Sequence, residues 1–91
     1  MEASLESQMN EIMSQPGVTG VLCADEQGLA LSAQGTLTPH SAGLVSVVTE
    51  KACQLRHGTE PDEKPVVVME FDTGNVLIRS HNNSTLAVHK V

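Results

Sequence analysis

Histidine and cysteine are the residues in this chain that could bind a metal ion. The chain has four dispersed histidines and two isolated cysteines: His40, His57, His81, His89, Cys23 and Cys53. Structural zinc sites draw their tetrahedral ligands from closely spaced pairs of Cys and His, and the spacings here are too long. We therefore predict no metal site. The cysteines form no CxxC pair, so we interpret them as buried or interfacial thiols in a reducing compartment.

Acidic side chains could act as paired general acids and bases, but here they fall in two local clusters. Asp25 and Glu26 lie in a predicted turn, and Glu60, Asp62 and Glu63 lie in a predicted loop. Catalysis by paired carboxylates needs two groups that converge on a pocket. The sequence also lacks the common hydrolase, zinc-protease, phosphate-loop and dinucleotide motifs. We predict no catalytic residue, no cofactor and no enzymatic activity.

The composition argues against binding to nucleic acid or directly to a membrane. Five basic and eleven acidic side chains give a net charge of −6, which repels phosphate backbones and anionic lipid surfaces. Phe71 is the single aromatic residue, so stacking platforms for bases are missing. No apolar run approaches the ~20 residues that span a bilayer, and no lipidation motif is present. We expect any membrane residence to depend on a partner.

Hydrophobic periodicity and turn residues divide the 91 residues into two helices and five strands. The predicted order is helix, two strands, helix and three strands, over residues 2–15, 18–24, 29–33, 38–58, 66–69, 76–80 and 84–91. Local hairpins dominate this order, so we predict an α+β fold with a five-stranded antiparallel sheet and helices on its faces. The length is that of one domain, which we assign to residues 1–91.

The first two predicted strands differ in the polarity of their faces. The first is apolar on both faces, so both should be covered, and Gly20 within it indicates a bulge or a close backbone approach. The second alternates apolar with polar side chains, which predicts one wetter face. Its apolar residues are Leu29, Leu31 and Ala33, and its polar residues are Ser32 and Gln34.

The second predicted helix carries two strips of different character. Thr38 is a favourable N-cap, Pro39 suits the first helical position, and Gly58 can end the helix in the left-handed conformation. At ~100° per residue, a large apolar strip is predicted to pack on the sheet. It consists of Leu44, Val45, Val48, Ala52 and Leu55. The second strip is small and consists of Ala42, Gly43, Ser46 and Cys53. It is either a solvated helix back or a surface on which a partner packs closely.

The third predicted strand, residues 66–69, is continuously apolar and β-prone. Such a run is typical of an internal strand that is buried on both faces. It is equally typical of an outer strand, whose unpaired N–H and C=O groups attract another chain. The sequence leaves both alternatives open.

The hairpin at residues 20–29, with an Asp-x-x-Gly-Leu turn from Asp25 to Leu29, resembles the roadblock/dynein light chain family. The α-β-β-α-β-β-β order also fits that fold. Residues 20–23, 27–29, 40–43 and 87–90 extend the likeness along the chain, which is similar to the roadblock-type subunits of the Ragulator complex. Many roadblock domains carry a third, C-terminal helix, and this sequence lacks it.

The resemblance implies that two roadblock subunits pair through their second helices and third strands, so that two sheets join into one. The implied interface residues are Ala42, Gly43, Ser46, Thr49, Glu50, Cys53, Val66, Val67, Val68 and Met69. The implied partners are another roadblock-type Ragulator subunit in a heterodimer, a lipidated subunit that wraps the pairs, and Rag GTPases through the complex. Binding to a viral X protein and to survivin is attributed to one family member.

The function implied by the resemblance is that of a non-enzymatic scaffold on late endosomes and lysosomes. There the complex supports amino-acid signalling through Rag GTPases to the TOR kinase complex. A homodimeric cargo adaptor of the dynein light chain kind is an alternative on the same fold. A small-ligand sensor is a third possibility, although the absence of Trp and Tyr argues against a ligand pocket.

Overall fold

The computed structural model describes residues 2–55, 64–81 and 83–91, except for the side chains of residues 2–4 and 81. It contains two α-helices, α1 and α2, and five strands, β1 to β5. In chain order these are α1 Glu2–Met13, β1 Val18–Asp25, β2 Ala30–Gly35, α2 Ala42–Cys53, β3 Val67–Phe71, β4 Gly74–His81 and β5 Ser84–Lys90. The predicted order of elements is confirmed, and most boundaries shift by a few residues.

The five strands form one antiparallel sheet in the order β2-β1-β5-β4-β3. β5 lies between the hairpin of β1 and β2 and the hairpin of β3 and β4, so it joins two units that are distant in sequence. β3 is an outer strand, which decides between the two alternatives that the apolar run left open. The α+β class and the antiparallel five-stranded sheet are confirmed.

The core has two layers, one on each face of the sheet, and β1 contributes buried residues to both. Leu22 and Ala24 of β1 belong to the larger cluster, together with residues of α2 and the fully buried Ile78 of β4. Val21 and Cys23 belong to the smaller cluster, beneath α1. The alternation of β1 therefore places apolar side chains on both faces, as its sequence predicts.

Gly20 lies where the chain after β2 passes close to β1. The register of β1 with β5 shifts between Val18 and Gly20, which confirms the predicted irregularity. A β-carbon on Gly20 would lie 2.8 Å from the backbone nitrogen of Leu37, closer than real β-carbons approach. This position therefore requires glycine, and the close approach brings Leu37 onto the larger core cluster.

The polar face of β2 is not the wetter face that the alternation predicts. Ser32 donates a hydrogen bond to Glu6 (2.8 Å), and Gln34 donates one to Asn10 (2.9 Å), so α1 covers this face with polar contacts. Leu31 is instead exposed. The prediction was wrong because a helix can cover a strand with hydrogen-bonding side chains as well as with apolar ones.

α2 is shorter than the predicted helix and is rotated relative to it. Thr38 is extended and Pro39 opens a 3₁₀ turn, but Thr38 makes no side-chain capping hydrogen bond. α2 itself runs Ala42–Cys53 with Ser41 at its N-cap position, so the predicted start of the helix was wrong by about one turn. Gly58 lies outside the described residues. The buried residues of α2 are Ala42, Val45 and Thr49. The predicted apolar strip was therefore partly wrong, since Leu44 is 70% exposed and Leu55 is 74% exposed.

Candidate protein–protein interface

The six helical residues predicted at the interface occupy three different environments. Ala42 is 1% exposed, and Thr49 is buried with its hydroxyl donating to the Val45 carbonyl (3.0 Å), so both face the sheet. Gly43 and Glu50 are exposed, while Ser46 and Cys53 are half-buried. The small strip is thus not a single outward surface. Small residues lie here because α2 approaches the sheet closely through Ala42.

One flank of α2 packs on the chain's own β1–β2 turn. A β-carbon on Gly28, which has φ +87°, would lie 3.5 Å from Ser46 Oγ and 3.7 Å from Gly43 Cα. Within the described part of the chain, no group hydrogen-bonds the buried Ser46 hydroxyl. The turn is held by Asp25, whose Oδ1 accepts from the N–H groups of Gln27 and Leu29 at 2.9 Å each. Ser46 therefore faces the subunit's own hairpin.

The opposite flank of α2 carries an aliphatic stripe of Leu44, Val48 and, just past the end of the helix, Leu55. Leu44 and Leu55 are exposed, whereas Val48 is half-buried against the larger core cluster. At ~100° per residue these residues lie within ~40° of one another and ~160° or more around the helix from Ser46. The stripe therefore faces away from the β1–β2 turn. Their spacing predicts an apolar stripe, but hydrophobicity alone does not distinguish a stripe on the surface from a face that packs on the sheet.

The third strand offers an unpaired edge together with side chains on both faces. Val67 and Met69 are half-buried against the larger core cluster. Val66 and Val68 are exposed, as is Phe71 at the end of β3. In the described chain β3 pairs only with β4, so its outer N–H and C=O groups are free to pair with another strand.

The sheet face on the α1 side is only partly covered, because α1 packs mainly on β1 and β2. Beside α1 lies an apolar groove of about 330 Å³ over β4 and β5. Its lining includes the apolar side chains of Ile12, Leu77, Leu86 and Val88 and the basic side chains of Arg79 and Lys90. In roadblock domains that have a third helix, the resemblance implies that this helix covers such a face.

The Cys23 thiol and the His89 imidazole, which could take part in chemistry, are held within the fold. Burial raises the pKa of the Cys23 thiol, although a hydrogen bond with Ser84 opposes the shift. His89 Nδ1 lies 2.7 Å from Thr36 Oγ1 and 3.1 Å from Thr19 Oγ1, where it ties β5 to the chain around β1 and β2.

Among the described residues, no group of three or more His, Cys, Asp or Glu side chains could hold a metal ion. In that same part of the chain, no helix has the length and apolarity to cross a bilayer.

Comparisons with known proteins give the same family. The family model of Ragulator complex protein LAMTOR5 matches residues 1–90. A LAMTOR5 homolog from Nematostella vectensis is 47% identical over 91 residues, which cover 100% of this chain and 98% of the relative. LAMTOR5 from Xenopus laevis is 44% identical with the same coverage. A homolog from Dictyostelium discoideum is 33% identical and is covered over 99% of its length.

A solved structure shows the same fold. The roadblock/LC7 domain from Streptomyces avermitilis superposes with a TM-score of 0.74 at 24% identity, over 92% of this chain and 72% of that one. The five-stranded sheet with two helices is thus a roadblock fold, as the hairpin motif indicated. The agreement of fold, full-length family match and relatives leads to one conclusion: this chain belongs to the LAMTOR5 family of Ragulator complex proteins.

Proposed function

We propose that this chain is a non-enzymatic scaffold subunit that forms a heterodimer with another roadblock-type Ragulator subunit. The observation that carries the proposal is that β3 presents a free edge while α2 presents an aliphatic stripe whose Leu44 and Leu55 are exposed. A partner strand that pairs with β3 extends the sheet, and a partner helix covers the stripe on the same side. Burial of Leu44 and Leu55 would stabilise the pair by ~1.5–3 kcal/mol for each side chain that becomes fully covered.

The proposed interface therefore keeps the β3 residues that the sequence suggests and changes the residues of α2. The four apolar residues at and before the edge strand, Val66, Val67, Val68 and Met69, remain its sheet part. At α2, the contact shifts to the exposed Leu44 and Leu55, with the half-buried Val48 beside them. Gly43 and Glu50 are exposed beside the β1–β2 turn and would contact a partner only at the margin. Ala42 and Thr49 act indirectly, because they set the distance between α2 and the sheet.

We further propose that a lipidated, wrapping Ragulator subunit covers the open groove on the α1 side. The groove is apolar and carries basic side chains at Arg79 and Lys90, so it suits an amphipathic segment with acidic residues. This contact would hold the chain on late endosomes and lysosomes, and leave unassembled chain in the cytoplasm. Within the complex, residues 1–91, as one domain, would support Rag GTPase signalling to the TOR kinase complex. A viral X protein and survivin are proposed as further partners.

The oligomeric state tests the heterodimer. Light scattering coupled to size-exclusion chromatography is measured for the purified chain, for each other roadblock-type Ragulator subunit, and for their mixtures. We expect the chain alone to be monomeric and one mixture to give a stable one-to-one complex. A stable homodimer of the chain alone would instead favour the cargo-adaptor alternative and contradict the proposal.

Cell fractionation tests whether the lipidated wrapping subunit holds this chain on the lysosomal membrane. The lipidation site of the wrapping subunit is removed, and the distribution of this chain between lysosomes and cytoplasm is measured. We expect the chain to move to the cytoplasmic fraction. Continued residence on lysosomes would show that the chain reaches the membrane by another route.

A further inference from the structure

The outer edge of β2 is a second open edge, on the opposite side of the sheet from β3. In the described chain β2 pairs only with β1, so alternate residues of β2 direct their N–H and C=O groups away from the sheet. The ladder with β1 is regular over residues 32–34. Leu31 has no partner in the register, because Cys23 pairs with Ser32 and Ala24 with Ala30, so Leu31 lies at a bulge. Gly35 ends the regular stretch with a left-handed φ of +69°. β2 therefore offers a short regular edge, residues 32–34, that another strand can extend, with Leu31 exposed at the bulge beside it.

This edge is held in an extended shape before any partner arrives. The hydrogen bonds from Ser32 to Glu6 and from Gln34 to Asn10 fix β2 beneath α1. A strand that is already ordered loses little conformational entropy when it pairs. The edge also has apolar side chains beside it, because Leu29 is 63% exposed and Leu31 is 52% exposed.

The distribution of charge identifies the kind of segment that fits this edge. Residues 1–50, which form α1, β1, β2 and most of α2, carry six of the eleven acidic side chains and none of the five Lys and Arg residues. Residues 51–91 carry five acidic and five basic side chains, so the net charge of −6 belongs to the first part of the chain. Glu6 contacts β2 itself, while Asp25 and Glu26 lie in the turn that leads into it.

Charge also decides between two possible occupants. A second copy of this chain at the β2 edge would bring the same carboxylates together, which disfavours association. A segment with Lys or Arg would be attracted over several ångströms and would meet no competing basic side chain of this part of the chain. An aliphatic side chain of that segment would reach Leu31, which is exposed at the bulge beside the regular edge.

We propose that the β2 edge binds an extended, basic segment of a partner protein as an added strand, with an aliphatic side chain of the segment against Leu31. This site is separate from the β3 edge, so the chain could extend its sheet at both sides at once. The proposal does not depend on which protein pairs with β3.

The test uses the full chain labelled with ¹⁵N and a short capped peptide that alternates lysine with valine. We expect saturable amide shifts concentrated in residues 29–35, and affinity that falls about tenfold or more when salt is raised from about 0.05 M to about 0.5 M. The control peptide has glutamate in place of lysine and should not bind. Equal binding of the two peptides, shifts concentrated in β3, or no saturable shift would each overturn the proposal.

Two edge variants provide a matched comparison. Leu31→Lys should weaken binding of the lysine peptide about tenfold, because it removes the aliphatic contact and adds a like charge. Val68→Lys places the same charge on the β3 edge at an equally exposed position (53%) and should leave peptide binding unchanged. Glu26→Lys tests the charge alone and should also weaken binding. If Leu31→Lys and Glu26→Lys both bind as the unmodified chain does, the β2 edge is not the site.

Discussion

Gly28 and Ser46 face each other between the β1–β2 turn and α2, so closely that a β-carbon on Gly28 would be in van der Waals contact with Ser46 Oγ at 3.5 Å. This close approach joins the turn of the first hairpin to the second helix. Ser46 therefore packs within its own subunit, against the first hairpin. A larger side chain at this position must displace the turn or the helix.

Ser46→Leu is therefore expected to destabilise the isolated subunit by ~1–3 kcal/mol through overpacking. Urea unfolding followed by circular dichroism measures the change. Val47→Leu adds volume at the next residue, which is 50% exposed, and should change stability by less than about 0.5 kcal/mol. Ser46→Ala removes a buried hydroxyl that no described group hydrogen-bonds, so it should be neutral or slightly stabilising. Equal stability of Ser46→Leu and Val47→Leu would refute the contact.

Leu55→Asp is expected to weaken binding to the roadblock-type partner at least about tenfold, or ~1.4 kcal/mol, because it places a charge in the proposed helix contact. The subunit's own fold should persist, since Leu55 is 74% exposed. Affinity is measured by titration calorimetry with the purified partner.

Gln54→Asp is the matched control for the stripe. It adds the same charge at the neighbouring residue, also exposed and at the same end of α2, so it shares any unfavourable effect on the helix dipole. It projects ~100° away from Leu55 and should leave partner affinity nearly unchanged. Similar losses for both variants would mean that charge, not the stripe, governs binding.

Ile78→Ala is expected to cost ~2–5 kcal/mol of unfolding free energy, because Ile78 is fully buried in the larger core cluster. Leu77→Ala, at the adjacent residue on the other face of β4, should cost less than about 0.5 kcal/mol in the isolated subunit. Chemical denaturation of both variants measures the difference. A large loss for Leu77→Ala would show that the α1 side of β4 is already covered in the free subunit.

The Cys23 thiol should make stability fall at alkaline pH. Burial raises its pKa above the ordinary value of 9.0, so the folded state favours the neutral thiol. Its contribution is fully present below pH 9.0 and is lost as the pH rises through the higher pKa of the folded state. Unfolding at about pH 8 and about pH 10 should show a smaller loss for Cys23→Ala than for the unmodified chain. An identical pH dependence of the two proteins would contradict the assignment.

The strands were easier to predict than the face of α2. Alternation and turn residues suffice for strands, because Leu22 and Val21 must point to opposite sides whatever surrounds them. The rotation of α2 depends on how closely it approaches the sheet. Ala42 and Thr49 fit the narrow gap, and the bulkier Leu44 and Leu55 lie outside it. Intrinsic hydrophobicity favours the opposite assignment, because it does not distinguish a core from a surface that awaits a partner.

The hydrogen bonds by which α1 covers β2 could not be predicted from the sequence pattern either. Ser32 and Gln34 are paired with Glu6 and Asn10 across more than twenty residues of intervening chain. No local rule links these positions, whereas the irregularity at Gly20 follows from a single residue. The candidate surfaces were therefore hard to predict mainly because hydrogen bonds between residues distant in sequence decide which faces are covered.

The position of β5 determines when the sheet becomes continuous during folding. β5 pairs with β1 on one side and with β4 on the other, although β1 is about sixty residues away in sequence. The two hairpins can form locally and early, but they unite only after β5 is inserted between them. Before insertion, β1 and β4 are both open edges, so the unfinished sheet is at its most vulnerable to pairing with other molecules. The interval before β5 inserts is therefore when self-association competes most directly with folding.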